Sequence, residues 1–403
     1  MIIVKINKKH ISILILAVMV LSVFTGCATF ENFKTGFIDK PQDHSATIQI
    51  GIYEPMTGAD SEGAEQEIKG IELAHEMYPT VNGKVIDLVY VDNASNLYAA
   101  ETAIKELIVK EPLAVLGSYG SVYSLVAADY INEAEIPAIA VTNTNPLVTR
   151  NNDYYFRVCY VDSNQGDILA RYLLKEKKEK KAGVLLPSDD DAAIAMATAF
   201  TDRMKAETGN EDAITVYEEY TTGDKDFSKQ LEVIKKSKVK SVLLPGNITD
   251  AANIIKQADE MGVTTVFLGD REWSENEFYK LTDGIVSEKN VAFVNFYSAD
   301  KEVTEESERF LKAYREKYGA DAVPQDNVAL GYDAYKIALD AIDKAPDDAK
   351  AKDVWGILSS GKYHFHGASG VITFSSTGDP IKTAYISTWE DRSVVSIHTV
   401  EPK

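Results

Sequence analysis

The chain has 403 residues, too many for one ordinary core and enough for two domains. Apolar residues make up 45% and charged residues 26%, a globular composition that excludes a disordered chain and a polytopic membrane protein. A net charge of −20 disfavours nucleic acid, whose phosphates select basic surfaces, and keeps the protein off anionic lipid. Two cysteines, Cys27 and Cys159, cannot build a disulfide framework.

Residues 1–27 read as a processing signal. Lys5, Lys8 and Lys9 form a basic start, followed by the apolar run 11–24. That run is too short to cross about 30 Å of hydrocarbon as a helix, but it suits a signal peptide's apolar region. It ends in Phe24-Thr25-Gly26-Cys27, which resembles a bacterial lipobox, where the cysteine is diacylated and the chain is cut before it. The alternative is an ordinary signal peptide with a chance cysteine. Lipidation of Cys27 would leave Cys159 without a partner, and two acyl chains would anchor the protein without a transmembrane helix. Residues 28–45 are polar, carry Pro41 and lack periodicity, so they read as a flexible tether. The expected location is extracytoplasmic, lipid-anchored to the membrane.

From residue 46 the pattern alternates strand and helix. A β-branched run at 47–54 precedes a helical pattern at 62–77, then a strand at 84–92. The helix expected at 97–110 carries Ala100, Ile104, Leu107 and Ile108 on one face. A strand at 113–117, a helix at 121–134 and a strand at 137–141 follow. The cycle restarts with helix 165–175, strand 182–187 and helix 192–207. Segments 213–220, 239–244 and 264–268 then read as strands, with helices at 226–236 and 249–261 between them. Short apolar strands between amphipathic helices predict an α/β fold of two doubly wound parallel-sheet lobes with a ligand cleft between them. The apolar segments 154–162 and 290–297 read as crossings between lobes. Two long helices, 303–318 and 327–344, and a β-rich tail from Gly370 complete the chain. The expected first lobe is 46–162 with 291–370, and the second is 163–290 with 371–403.

Ligands of open α/β sheets sit beyond the carboxyl ends of strands. The loop after 113–117 is Ser118-Tyr119-Gly120-Ser121-Val122-Tyr123-Ser124. Ser121 opens a helix, where free N–H groups and a hydroxyl suit a carboxylate; it could equally be a plain N-cap. The neighbouring loop, Thr142-Asn143-Thr144-Asn145-Pro146, could join the same carboxylate or be a hydrogen-bonded turn. In the second lobe, Asp270 follows strand 264–268, where it could hold an ammonium or stand solvated. No G-x-S-x-G elbow, G-x-G-x-x-G loop or P-loop occurs, which argues against an enzyme. An acyl hydrolase using Ser121 would need such an elbow. His364 and His366 share a strand face without a nearby third ligand, so they read as surface residues and no metal is expected. Asp189-Asp190-Asp191 precede a helix, where acids favour its dipole.

From Ile50 onward the chain resembles the leucine/isoleucine/valine-binding proteins, type I periplasmic binding proteins serving branched-chain amino-acid ABC transporters. The resemblance lies in Gly51-Ile52-Tyr53-Glu54-Pro55-Met56-Thr57-Gly58, Lys69-Gly70-Ile71-Glu72-Leu73-Ala74, Asp226-Phe227-Ser228 after Gly223, and Gly331-Tyr332-Asp333-Ala334. It implies a non-catalytic, cofactor-free, monomeric protein that closes two lobes over an amino acid and delivers it to a permease and ATPase. It also implies a carboxylate grip by Ser121, Thr142 and Thr144 and an ammonium partner at Asp270, or one position later at Arg271. Asn247, Ala192 and Gly63 stand where that family often has aromatic residues, and Tyr119 and Tyr123 could restore an aromatic wall. A surface sensor of the same fold, or a binder of short amides or urea-like solutes, is the alternative.

Overall fold

The computed structural model describes residues 47–301 and 303–402; the signal, Cys27 and tether expectations lie outside them. The first sheet begins with β1 (Thr47–Glu54), whose TIQIGIYE run is mostly buried, and α1 (Ser61–Met77) returns along it. Next come β2 (Thr80–Val81), β3 (Lys84–Asp92), α2 (Leu97–Ile108), β4 (Ala114–Gly117), α3 (Ser121–Ala134), β5 (Ala138–Ala140) and β6 (Tyr155–Arg157). The second run is α4 (Asp162–Tyr172), β7 (Ala182–Pro187), α5 (Asp191–Thr208), β8 (Ile214–Tyr220), α6 (Ser228–Ser237) and β9 (Ser241–Leu243). It continues through α7 (Ile248–Glu260), β10 (Val266–Gly269), α8 (Asn276–Leu281) and β11 (Val291–Asn295). The chain ends with α9 (Glu305–Tyr318), α10 (Asp326–Lys344), α11 (Ala351–Leu358), β12 (His364–Gly367), β13 (Gly370–Phe374), β14 (Pro380–Ile381), β15 (Ala384–Glu390) and β16 (Ser393–Val400).

The two large sheets repeat one plan. The first has the order β2-β3-β1-β4-β5-β6, the second β16-β15-β11-β10-β9-β7-β8. In the first, β1, β4, β5 and β6 pair in parallel, in the second β8, β7, β9, β10 and β11 do so. Each chain path goes one way from its first strand and then doubles back. The reversals fall between β1 and β4 and between β7 and β9, and a crevice opens at such points beyond the strand ends.

Lobe membership differs from the sequence expectation at two places. The run VAFVN of β11 was expected to cross between lobes, yet it is fully buried inside the second sheet, parallel to β10 and antiparallel to β15. The crossing follows it, after Asn295. Strands β13 and β14 were expected in the second lobe, but they pair with β12. Phe374 of β13 packs on Phe156 of β6, with ring centroids 5.1 Å apart, which holds this small sheet on the first lobe. Burial on both faces gives a crossing segment and an interior strand the same apolar composition, so composition alone does not separate them.

Helix α1 lies against α10, and both need glycine where they cross. A Cβ at Gly331 would fall on the backbone oxygen of Glu67, and one at Gly70 on that of Val328. Close approach lets α10 be buried along most of its length. The crossing segments are tied together as well. The Tyr160 hydroxyl donates to the Lys382 carbonyl, and the buried Lys382 ammonium donates to Ser369 Oγ beside Asp333. Replacing Gly331 with Ala should force the helices apart and cost about 1–3 kcal/mol by overpacking. Urea unfolding of G331A against the wild type measures this.

Candidate functional site: the interlobe cleft

The first wall of the cleft is made by the ends of β1, β4 and β5. Gly120, at φ 85°, precedes α3 and occupies its cap position without a side-chain bond. Ser121 therefore lies inside the first turn and is not the cap. Its Oγ accepts the Asn145 N–H at 3.3 Å, which joins the two loops. Thr142 is buried and donates its hydroxyl to the Glu67 carboxylate. Asn143 links the loops again, donating to the Ser118 carbonyl at 2.8 Å and accepting from Ser124 Oγ at 3.0 Å. Arg157, wholly buried on β6, donates to the Asn143 and Asn145 carbonyls at 2.6 and 2.9 Å and pairs with Asp379 at 2.8 Å. A guanidinium fork suits two carbonyls and a carboxylate together, and its distance along the chain hid this role from sequence reasoning.

The second wall comes from loops after β7, β9 and β10. Asp190 caps α5, accepting the N–H groups of Ala192 and Ala193 at 2.9 and 3.0 Å. Asn247 caps α7, accepting the Asp250 N–H at 2.9 Å while its amide donates to the Asp250 carboxylate at 2.8 Å. Asp270 accepts the Glu272 N–H at 2.9 Å. These short polar side chains at helix starts satisfy otherwise orphaned N–H groups, and they hold the loops in place.

The walls meet around a cavity of about 240 Å³ lined by Thr144 from the first lobe and by Asp190, Ala192, Asn247 and Asp270 from the second. Three of the residues singled out from sequence, Thr144, Asn247 and Asp270, are thus brought together. Ser121, Thr142 and Tyr123 do not line this cavity. The Tyr123 ring is 5% exposed and packs with Tyr53 and Ala127 in the first-lobe core, while its hydroxyl donates to Asp60 at 2.5 Å. Tyr119 lines a second, wider chamber with Gly63, Glu275 and Tyr279. A Cβ at Gly63 would strike the Tyr119 ring, so the glycine on α1 makes room for an aromatic delivered from the opposite loop.

Residues 47–393 match the periplasmic binding protein family. The chain belongs to that family. Over 361 residues it is 26% identical to Leu/Ile/Val-binding protein homolog 3 of Brucella melitensis, covering 87% of this chain and 94% of that protein. A leucine-binding protein of Thermotoga maritima superposes with a TM-score of 0.74 at 30% identity, over 88% of this chain and 99% of the other. A branched-chain amino-acid transporter substrate-binding protein of Streptococcus pneumoniae, solved with isoleucine, gives 0.74 at 27% identity, over 88% and 100%. The protein is therefore a substrate-binding protein of the ABC-importer type, with the two-lobed type I periplasmic binding protein fold, and not an enzyme. Among the described residues no helix is long and apolar enough to cross a membrane.

Charge in this periplasmic binding protein's cleft is unevenly distributed. Arg271 is 3% exposed and does not line this cavity. Its guanidinium forks onto Asp326, with Nε at 3.0 Å and Nη2 at 3.3 Å, and Nη2 also reaches Asn327 at 2.9 Å and Glu275 at 3.1 Å. Its own N–H donates to Gln165 Oε1 at 2.9 Å. Burial pushes Asp270 upward, reinforced by the Glu272 charge. Burial also raises Asp162 to about 6, against a hydrogen bond from Thr144, and Glu275 to about 7, against Arg271.

Beneath the first wall two wholly buried acids face each other, Glu54 at the end of β1 and Glu67 on α1. Glu54 Oε2 accepts the Tyr119 N–H at 2.6 Å, and Glu67 Oε1 accepts from Thr142. Their remaining oxygens have no hydrogen-bond partner among the described residues, and burial, reinforced by the Glu67 charge, pushes Glu54 well above the usual carboxylate range. Burial holds Glu67 at about 7 against its ordinary 4.5, so the folded state keeps a proton that the unfolded chain releases above 4.5. This group's effect is a loss of stability as pH rises from about 4.5 to about 7. Glu67→Gln, uncharged and still able to accept from Thr142, should flatten that decline and be more stable than the wild type at pH 8. Urea unfolding at intervals between pH 5 and 8 reads out both effects. Asp162 and Glu275 titrate in the same window, so some slope should persist.

Proposed function

We propose that this binding protein takes an amino acid between its lobes and hands it to an ABC permease and ATPase. The observation that carries the reading is that Thr144 and Asp270, from opposite lobes, line one cavity where the two crevices face each other. The first-lobe loops offer hydroxyl and N–H groups to a carboxylate, with Thr144 at the surface and Ser121 and Thr142 bracing the loop from behind. Asp270 accepts the α-ammonium, and Asn247 completes the wall. Tyr119 guards the wider chamber. Contact with both walls favours the closed arrangement, because only there does the ligand meet both partners. The names of the relatives, leucine- and Leu/Ile/Val-binding proteins, support an amino acid as the ligand class. Ala192 and Asn247, small or polar where a side chain would lie, leave that side chain to be decided by the wall's own chemistry.

A thermal-shift screen over the standard amino acids should find a ligand, since one present at about 100 times its dissociation constant adds about 2.7 kcal/mol. With that ligand, Asp270→Ala should bind about 10- to 150-fold more weakly, as a charged hydrogen bond is lost. Small-angle scattering should show the ligand-bound variant more open than the wild type. Wild-type affinity and full closure in D270A would overturn the arrangement.

Anchoring belongs to the same reading. Cys27, with Gly26 before it, would carry the acyl chains that keep the protein at the outer face of the membrane. Cys27→Ser should move the protein from the membrane fraction to the soluble one, with the lipid mass missing. Unchanged fractionation and mass would show that Cys27 is not acylated.

A further inference from the structure

We infer that Arg271 is a latch between the two lobes: its fork onto Asp326 and Asn327 holds them together without a ligand, so that a ligand completes a closure the chain itself begins. The inference rests on the reading above only in that the lobes part and close; it does not depend on which ligand they take.

Outside the crossing segments, the side-chain hydrogen bonds that join the lobes among the described residues converge on this one arginine. Arg271 belongs to the second lobe, in the turn after β10, and Gln165 of α4 accepts its N–H at 2.9 Å. Its backbone is thus tied to its own lobe while its guanidinium leaves it. Nε reaches Asp326 at 3.0 Å and Nη2 reaches Asn327 at 2.9 Å, both in the first turn of α10 on the first lobe. Nη2 also reaches Glu275 of the second lobe at 3.1 Å. Glu275 and Asn327 line the wider chamber from opposite lobes, so one planar group spans from wall to wall. Parting the lobes therefore draws Asp326 and Asn327 off the arginine. Bonds among the crossing segments, such as that from Tyr160 to the Lys382 carbonyl, join neighbouring connections and can persist as the lobes turn. Arg271 bridges the lobe bodies themselves.

Burial sets how firmly such a latch holds. Arg271, Asp326 and Asn327 are all buried. Charge-assisted hydrogen bonds favour the closed fork, but both charges recover water when the lobes separate. These effects oppose each other, which keeps the latched and open arrangements close in free energy and lets a ligand tip the balance. A ligand enters and leaves only while the lobes are apart, so the latch slows both steps.

The test needs no ligand. Small-angle scattering of the full folded protein, dialysed free of amino acids, compares the wild type with the double variant Arg271→Met/Asp326→Asn. Removing both charges leaves neither partner of the pair buried and alone, and Asp326→Asn keeps an acceptor for the Asn327 N–H. The wild type should scatter as the structure does with the fork made. The double variant should show a larger radius of gyration and a longer maximum dimension, with an unchanged far-ultraviolet dichroism spectrum. Asn327→Ala removes one arm of the fork, leaves the ion pair in place, and should give an intermediate shift. If the double variant loses its dichroism spectrum, Asn327→Ala alone decides. Equal radii for the wild type and the folded variants would overturn the latch and leave the amino-acid reading standing. Opening in the variants, with no amino acid stabilising the wild type in the thermal-shift screen, would uphold the latch and overturn that reading.

Discussion

The buried fork between Arg271 and Asp326 ties together most of what positions the cleft. Arg271 opens the short 3-10 turn after a strand of the second lobe, and Asp326 begins the long buried helix of the first. Taking both charges out of water costs several kcal/mol, and the cost is offset only because the guanidinium fork fits the carboxylate and the neighbouring amide. The same arginine's N–H meets Gln165 of α4, so three elements converge on one residue. Its placement sets Asp270 one position earlier at the cavity wall. Its partner sets the start of α10, whose Gly331 lies on the Glu67 backbone. The acid pair on the first wall and Asp270 on the second are thus held from one point beside the crossing segments.

Doubling one sheet plan explains why the polar residues cluster where they do. Each lobe buries its parallel strands on both faces, so strand interiors are apolar and chemistry is confined to the loops at their ends. Facing the two reversals toward each other concentrates those loops in a single crevice. Glu54 and Tyr119 belong to one reversal, Asp190 and Asn247 to the other. The helix caps at Asp190 and Asn247 therefore serve two purposes, satisfying N–H groups and presenting oxygen to the cleft.

Much of the fold was legible from sequence because the apolar strands are short and end in glycine, serine, threonine or asparagine. The loops carrying Tyr119, Thr144 and Asp270 were found that way, whereas Asn247 came only from the family resemblance. The direction of a side chain was not. Arg271 reads as a cleft residue from its place after β10, and it is the distant Asp326 that draws it inward. Tyr123 reads as a wall aromatic from its neighbours, yet helical geometry turns it into the core. The pairing of Glu54 with Glu67 depends on contacts between separate elements, which periodicity does not encode. The apolar run of β11 illustrates the limit, since a crossing segment and a buried strand share one composition.

The accommodation of Tyr119 by Gly63 also constrains how this cleft can have been reached and how it can be altered. Any side chain at 63 competes with the present ring for the same volume, so the two positions cannot change independently. A lineage carrying a large residue on α1 would have to lose it before Tyr119 could settle where it now lies. The reverse change requires the loop aromatic to leave first. Grafting an aromatic from a relative onto position 63 alone would thus dislodge a ring instead of adding one, and substitutions tried singly would misreport what the pair does together.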